Sequence, residues 1–233
     1  MREARGAIST THVGLIIVAA GRSARMQDVD KVWAQLAGKS VVERSLLALA
    51  LHVHEIVVVV RPDMVARAEK DLAPLVPSLR VVIGGELRRD SVHHGLKALH
   101  DVDVVAVHDA ARPLVKPEVL RRGLELMDCN DGAVPVVPLH DTIKRIDQNG
   151  LVVETLDRSR LVAAQTPQVF SALPLRNAYL NGETLEAVTD DAMLLESRGF
   201  VVATFPGDAW NFKITTRHDL ELARLLLTTQ EVR

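Results

Sequence analysis

The chain has 233 residues, with 28 Lys and Arg against 30 Asp and Glu and a formal net charge of −2. With 48% hydrophobic residues it carries enough apolar material for a sizeable core, in one large domain or two small ones. This balance excludes the basic field that nucleic-acid binding needs, the sole cysteine (Cys129) excludes an internal disulfide or a Cys-rich zinc site, and no apolar run reaches a membrane span.

Residues 1–12 are polar and read as a flexible tail without a secretion signal, which with the lone cysteine points to the cytoplasm. Val13 to Val18 is an apolar, mostly β-branched run suited to a strand buried on both faces. It breaks at Ala19-Ala20-Gly21, where the near-absence of side chains lets backbone N–H groups approach a ligand. Arg22, Arg25 and Lys31 follow. A buried strand, a bare loop and three cations form a polyphosphate cradle; the plainer reading is a strand-to-helix turn with solvated arginines. Ser40, with Glu43 three residues on, makes a capping box for a helix from Val41 to Leu51. Glu55 to Val60 is a second buried strand, and Pro62-Asp63 starts a helix to about Leu72. Arg80 to Ile83 is a short strand ending at Gly84-Gly85. Asp90 or Ser91 caps a helix to His100. Val102 to Val107 is the next strand, ending in His108-Asp109-Ala110-Ala111-Arg112-Pro113, and Pro117 begins a helix to Met127.

Strand and helix alternate to this point, the signature of a parallel sheet with helices on both faces. Such sheets bind ligands beyond the carboxyl ends of their strands. Three of these ends carry unusual residues: Ala19 to Arg25, Gly84 to Ser91, and His108 to Arg112. If the strands are neighbours, the clusters meet over one rim.

The pattern then changes. Gly132 to Pro138 is a strand. Asp141 to Ile146 and Leu151 to Leu156 flank the tight-turn signal Gln148-Asn149-Gly150, which reads as a β-hairpin with too little apolar surface to stand alone. Arg160 to Gln168 leads back to the main body. Pro174 to Asn181 is helical. Thr189 caps a helix from Asp190 to Arg198 that Gly199 closes. Phe200 to Phe205 is a strand, and Asn211 to Thr215 precedes a last amphipathic helix from Arg217 to about Leu227.

Several familiar chemistries lack their residues. A dinucleotide fingerprint would need glycines where Ser23 and Met26 stand after Gly21. Gly38-Lys39-Ser40 lacks the rest of a Walker loop, and there is no Gly-x-Ser-x-Gly. His93-His94 and the other histidines lack metal-ligand spacing. The cations at the rim, Arg25, Lys31, Arg88, Arg112 and Lys213, point to phosphate chemistry, because Arg grips phosphate bidentately and Lys acts as a point charge. Asp109 could bind a divalent cation or ligand hydroxyls, or form an Asx turn or helix cap. A phosphate monoester is largely dianionic at neutral pH and can itself attack, so a missing catalytic dyad is compatible with an enzyme.

Seven segments in order carry a resemblance. They are Ala19-Ala20-Gly21-Arg22-Ser23-Ala24-Arg25-Met26, Gly84 to Val92, His108 to Pro113, Asp141-Thr142-Ile143-Lys144, Thr166-Pro167-Gln168, Thr189-Asp190-Asp191-Ala192 and Asn211 to Thr215. Together they resemble the 2-C-methyl-D-erythritol 4-phosphate cytidylyltransferase family from about Val13 to Leu227. The resemblance implies a Rossmann-like nucleotidyltransferase sheet, mostly parallel with helices on both faces, in a single domain over 13–233. It also implies a protruding hairpin arm at about 139–160 that builds a homodimer. CTP and the polyol phosphate 2-C-methyl-D-erythritol 4-phosphate would react with Mg²⁺ to give the cytidine diphosphate alcohol and pyrophosphate. Arg25 and Lys31 match residues that stabilise charge on the α-phosphate, and Arg158 and Lys213 match residues that position the attacking phosphate. Ala19, Ala20, Gly21, Ser23, Gly85, Ser91, Asp109 and Ala110 fall to the nucleotide, and Arg112, Thr142, Thr166 and Thr189 to the acceptor. Mg²⁺ would be held mainly by the CTP phosphates, with Asp109 a possible ligand. Thr142 and Arg158 lie on or near the arm and would serve the partner's site.

Two departures stand out. The family usually reads Pro-Lys-Gln followed by an aromatic residue where this chain has Asp30-Lys31-Val32-Trp33, and Ser23 replaces a common glycine. The motifs also leave open a cytidylyltransferase of ribitol 5-phosphate and a non-catalytic nucleotide-binding module.

Overall fold

The computed structural model describes residues 11–21, 30–180 and 189–230. β1 (Val13–Val18) is the apolar run, buried along five of its six residues. Short strands β2 (Gln35–Leu36) and β3 (Lys39–Ser40) precede α1 (Val41–Leu49). The capping box forms as expected: Glu43 N–H donates to Ser40 Oγ (3.3 Å), and the Glu43 carboxylate accepts from Ser40 N–H. β4 (Glu55–Val60) leads through a 3₁₀ turn, Pro62–Met64, into α2 (Val65–Asp71). β5 (Leu79–Ile83), α3 (Arg88–Ala98), β6 (Val104–Asp109), α4 (Pro117–Leu124) and β7 (Gly132–Pro138) continue the alternation. β8 (Lys144–Ile146) and β9 (Val152–Thr155) pair with each other as a separate two-stranded hairpin. The chain returns through β10 (Val162–Ala164), β11 (Gln168–Ser171), α5 (Ala172–Leu180), α6 (Asp191–Glu196), β12 (Val202–Pro206) and α7 (Arg217–Gln230).

The main sheet is mixed but mostly parallel. β1 lies between β4 and β6 in parallel, and β5 continues in parallel beyond β4. β11 runs antiparallel between β6 and β7, while β7 also pairs with β10 and, in parallel, with β12. Alternate residues of β1 feed two cores, as a strand covered on both faces must. Leu15 and Ile17 join Leu46, Val58 and Val119 on one side; Ile16 joins Val57, Leu96 and Phe170 on the other. Truncating one of these, Ile16→Ala for instance, removes about 2–5 kcal/mol. A smaller cluster of Leu36, Val41, Ile214 and Leu220 ties α7 to the β2–β3 turn. Because β1, β4, β5 and β6 are parallel neighbours, their carboxyl ends share one rim.

Several boundaries differ from the sequence reading, and those nearest the site are these. β6 runs two residues further than expected, to Asp109, so that residue sits in the ladder opposite Val18 and not in a loop. α3 begins at Arg88, because Asp90 accepts the Leu87 N–H (3.1 Å) from the third position of the helix. Asp190, not Thr189, caps α6, accepting Met193 N–H at 3.0 Å. The return from the arm contains β10 and leads into β11, two short strands whose pairing no local pattern announced. The hairpin is present where expected; Gly150 turns it at φ +81°, a conformation L side chains rarely adopt.

Candidate active site

The shared rim opens onto a cleft of ≈ 970 Å³. The three clusters do meet there. Ala20 and Gly21 border it from the end of β1, Arg88 and Ser91 from α3, and Asp109 from β6. Lys31 and Lys213 also line it. The loops close on one another because residue 84 is glycine: a Cβ there would lie 2.5 Å from Ala20 Cβ and 2.7 Å from Ser91 Oγ. Ser91 Oγ in turn accepts the Gly85 N–H at 3.2 Å.

Asp109 is the electrostatic centre. It is 7% exposed, with Lys213 Nζ at 2.8 Å, Arg88 Nε at 3.2 Å and Arg112 Nε at 3.8 Å. Burial alone would raise its pKa, but Arg88, Lys213 and Arg112 hold the carboxyl well below the usual carboxylate range. Arg88 reaches a second buried carboxylate, Asp191 (2.8 Å), which also accepts the Tyr179 O–H at 2.7 Å. Burial works against the Arg88 charge, yet Asp191 and Asp109 raise its pKa above the ordinary arginine value. Burial and the Asp191 charge likewise push the Tyr179 pKa up, keeping the phenol a donor.

Beneath Asp109 lies a neutral histidine. A carbonyl only accepts, so His108 Nε2 carries the proton toward the Arg112 carbonyl (3.3 Å). Nδ1 then accepts the Thr166 O–H (3.1 Å), and Thr166 Oγ accepts the Asp109 N–H (3.0 Å). Burial, foremost, lowers the His108 pKa to about 4. Asn211, fully buried, donates to the Thr166 carbonyl (2.7 Å) and accepts Arg112 at its own carbonyl (2.8 Å). The backbones carrying Asp109, Arg112 and Lys213 are thus fastened together.

The expected residues sort into three groups. Ala20, Gly21, Lys31, Ser91, Asp109 and Lys213 line the cleft, with Gly85 and Arg112 bonded directly behind it. Ala19, Ala110 and Thr166 are buried within the wall. Ala19 N–H is given to the Val59 carbonyl and Ala110 N–H to the Val18 carbonyl, so neither donates to a ligand, and the Thr166 hydroxyl braces Asp109. Thr142, Arg158 and Thr189 are exposed and do not border the cleft; Arg158 donates to the His140 carbonyl. Arg22, Ser23, Arg25 and Met26 lie outside the described residues, as do Asn181 and residues 1–10.

The family model of 2-C-methyl-D-erythritol 4-phosphate cytidylyltransferase matches residues 13–229. The chain belongs to that family. A 2-C-methyl-D-erythritol 4-phosphate cytidylyltransferase of Dehalococcoides mccartyi strain CBDB1 is 42% identical over 219 residues, covering 92% of this chain and 96% of its own. Among solved structures, 4-diphosphocytidyl-2C-methyl-D-erythritol synthase of Anaerococcus prevotii is 28% identical with a TM-score of 0.82, covering 94% of this chain and 99% of that one. The 2-C-methyl-D-erythritol 4-phosphate cytidylyltransferase of Thermus thermophilus is 31% identical with a TM-score of 0.76, over 94% and 100%. Of the readings the motifs left open, the match is to the methylerythritol family.

The sequence reading missed Asp191, Tyr179 and Arg61 as parts of this rim. Asp191 lies in the first turn of a helix, where an acidic residue is ordinary, and a buried pairing 103 residues away leaves no local trace. Arg61 did offer a signal, a cation directly after a buried strand. Among the described residues no group of three or more His, Cys, Asp or Glu could hold a metal ion. Mg²⁺ prefers few protein ligands beside substrate phosphates, and among the carboxylates lining the cleft the ionised Asp109 would fit that part.

Proposed function

We propose that this chain transfers the cytidylyl group of CTP to 2-C-methyl-D-erythritol 4-phosphate, releasing pyrophosphate. The observation that carries this reading is a single ionised carboxylate, Asp109, held among three cations at a cleft whose chain belongs to this family along nearly its whole length. An oxygen of the acceptor phosphate attacks the α-phosphorus, and the bond to the bridging oxygen of pyrophosphate breaks. The dianionic phosphate needs no general base. His108 is unsuited to that role, because its proton-accepting nitrogen already takes the Thr166 hydroxyl.

Lys31, at the cleft, and Arg25 offset the negative charge that builds on the five-coordinate phosphorus. Lys213 orients the acceptor phosphate, and its ion pair with Asp109 sets where its ammonium lies. Ala20 and Gly21 leave room for the triphosphate to approach the backbone. Asp109 would be the protein ligand of a Mg²⁺ held chiefly by the CTP phosphates, and the ion would supply neutralisation of phosphate charge for the departing pyrophosphate. Thr142 and Arg158 act on the acceptor bound to a second copy of the chain, reached through the hairpin. Support for that dimer is the apolar ribbon the hairpin exposes: Ile146, Leu151, Val152 and Val153 are each more than half exposed.

Pyrophosphate release from CTP, measured with methylerythritol phosphate and with ribitol 5-phosphate as acceptors, tests the assignment. Turnover with methylerythritol phosphate is expected. Turnover with ribitol 5-phosphate alone, or with neither, rejects it.

A further inference from the structure

Lys31 sits on a turn held at both ends. On its carboxyl side Val32 and Trp33 are buried, at 3% and 4% exposure. The Val32 carbonyl accepts Val42 N–H at 2.9 Å, and the Arg67 guanidinium stacks 4.7 Å from the Trp33 ring centre. On its amino side Asp30 makes three contacts. Its Oδ1 accepts Val32 N–H (3.2 Å), its carbonyl accepts Trp33 N–H (3.0 Å), and its Oδ2 lies 2.8 Å from Arg61 Nη1. The first two close an Asx turn around Lys31 itself. The third fastens that turn to the main sheet, because Arg61 is the first residue after β4 and leads the 3₁₀ turn at Pro62. Arg61 uses its other nitrogens, Nε and Nη2, on Asp63 at 3.1 and 3.2 Å, which holds the guanidinium plane in place.

We infer that Asp30 and Arg61 are positioning residues for Lys31, pinning its turn to the end of β4. The inference rests on the role given to Lys31 above. A cost is avoided at the same time: Asp30 borders the cleft, and unpaired it would set a negative charge beside the triphosphate. The pair is about one-fifth exposed at each side chain, so its direct contribution to stability is small. Its effect is on geometry, where displacement of a charged group by about 1 Å can cost up to a hundredfold in rate.

The test is a cycle of kcat and KM on Asp30→Asn, Arg61→Gln and their combination, each in the native and the Lys31→Ala background. Asn keeps the size of Asp30 and the acceptor for Val32 N–H, Gln keeps the start of the Arg61 stem without its charge, and circular dichroism verifies the fold of each variant. Each single substitution should lower kcat about tenfold with KM for the acceptor unchanged, and the pair together should cost no more than either alone. Lys31→Ala should lower kcat about a hundredfold or more, and in that background neither substitution should lower it further. A collapse in Lys31→Ala with native kcat in Asp30→Asn and Arg61→Gln overturns the positioning role alone. So does a raised KM for CTP in Arg61→Gln with Asp30→Asn unaffected, which would make Arg61 a phosphate ligand. Native kcat in Lys31→Ala would overturn the earlier assignment of Lys31 and this inference with it.

Discussion

The rim and the hairpin both carry residues expected at the site, and they are built in opposite ways. At the rim, Asp109 and Asp191 are nearly inaccessible, and Arg88 joins them. Charges buried this far must meet partners within the fold, so the arrangement is complete in one chain. On the hairpin all seven strand residues are exposed, and the polar contacts across it, Lys144 to Thr155 and Arg145 to Glu154 (each 2.6 Å), are at the surface. A lone two-stranded ribbon is marginal in water. The contrast teaches that the rim is fixed by folding, whereas the hairpin strands keep their residues exposed in a single chain.

The largest effect should come from the centre of the rim. Asp109→Asn should lower turnover at least a hundredfold. Asp109→Ala should also remove about 3–5 kcal/mol of stability, because Arg88 and Arg112 lose their shared buried counter-charge. Steady-state kinetics and denaturant unfolding read both; native values would show that the rim is not organised around this residue.

A smaller effect follows from the neutral histidine beneath it. In the unfolded chain His108 binds a proton near 6.5, in the folded chain only near about 4. Between these values the unfolded state holds more protons, so the contribution is complete above pH 6.5 and is lost as pH falls toward 4. From pH 6.5 to 5 the loss through this group is about 2 kcal/mol. Unfolding free energies measured over that range should show the slope in the native chain and not in His108→Gln; an equal slope in both would place the acid sensitivity elsewhere. The smallest effect belongs to the hairpin surface: Arg145→Ala should change stability by less than about 0.5 kcal/mol. A change of several kcal/mol there would erase the contrast between the two regions.

The same contrast explains what could be read from the sequence. β1, β4 and the capping box of α1 are local patterns, apolar runs and an i, i+3 pair, and they were legible. So was the convergence of Gly21, Ser91 and Asp109, because parallel strands bring their carboxyl ends together. The insertion of β11 between β6 and β7 was not, since pairing of four buried residues with partners as distant in sequence as Val104 and Gly132 has no local signature. The second partner of Arg88 and the Thr166–His108 brace were hidden for the same reason. A motif shows which side chains gather at a site; which of them face the ligand and which hold the wall depends on burial, and Thr166 and Ala110 fall on the wall side.

The proposed function divides the chemistry between a rim complete in one chain and an arm that serves another, and mixing two inactive variants tests this division directly. Arg158→Ala and Lys213→Ala, each poorly active alone, should on mixing and subunit exchange regain about a quarter of native turnover. About half of the dimers are then mixed, and each of these holds one site with both residues intact. Recovery to about that level, dependent on exchange, is the predicted result. A mixture no more active than its two components would contradict an arm that works across the dimer.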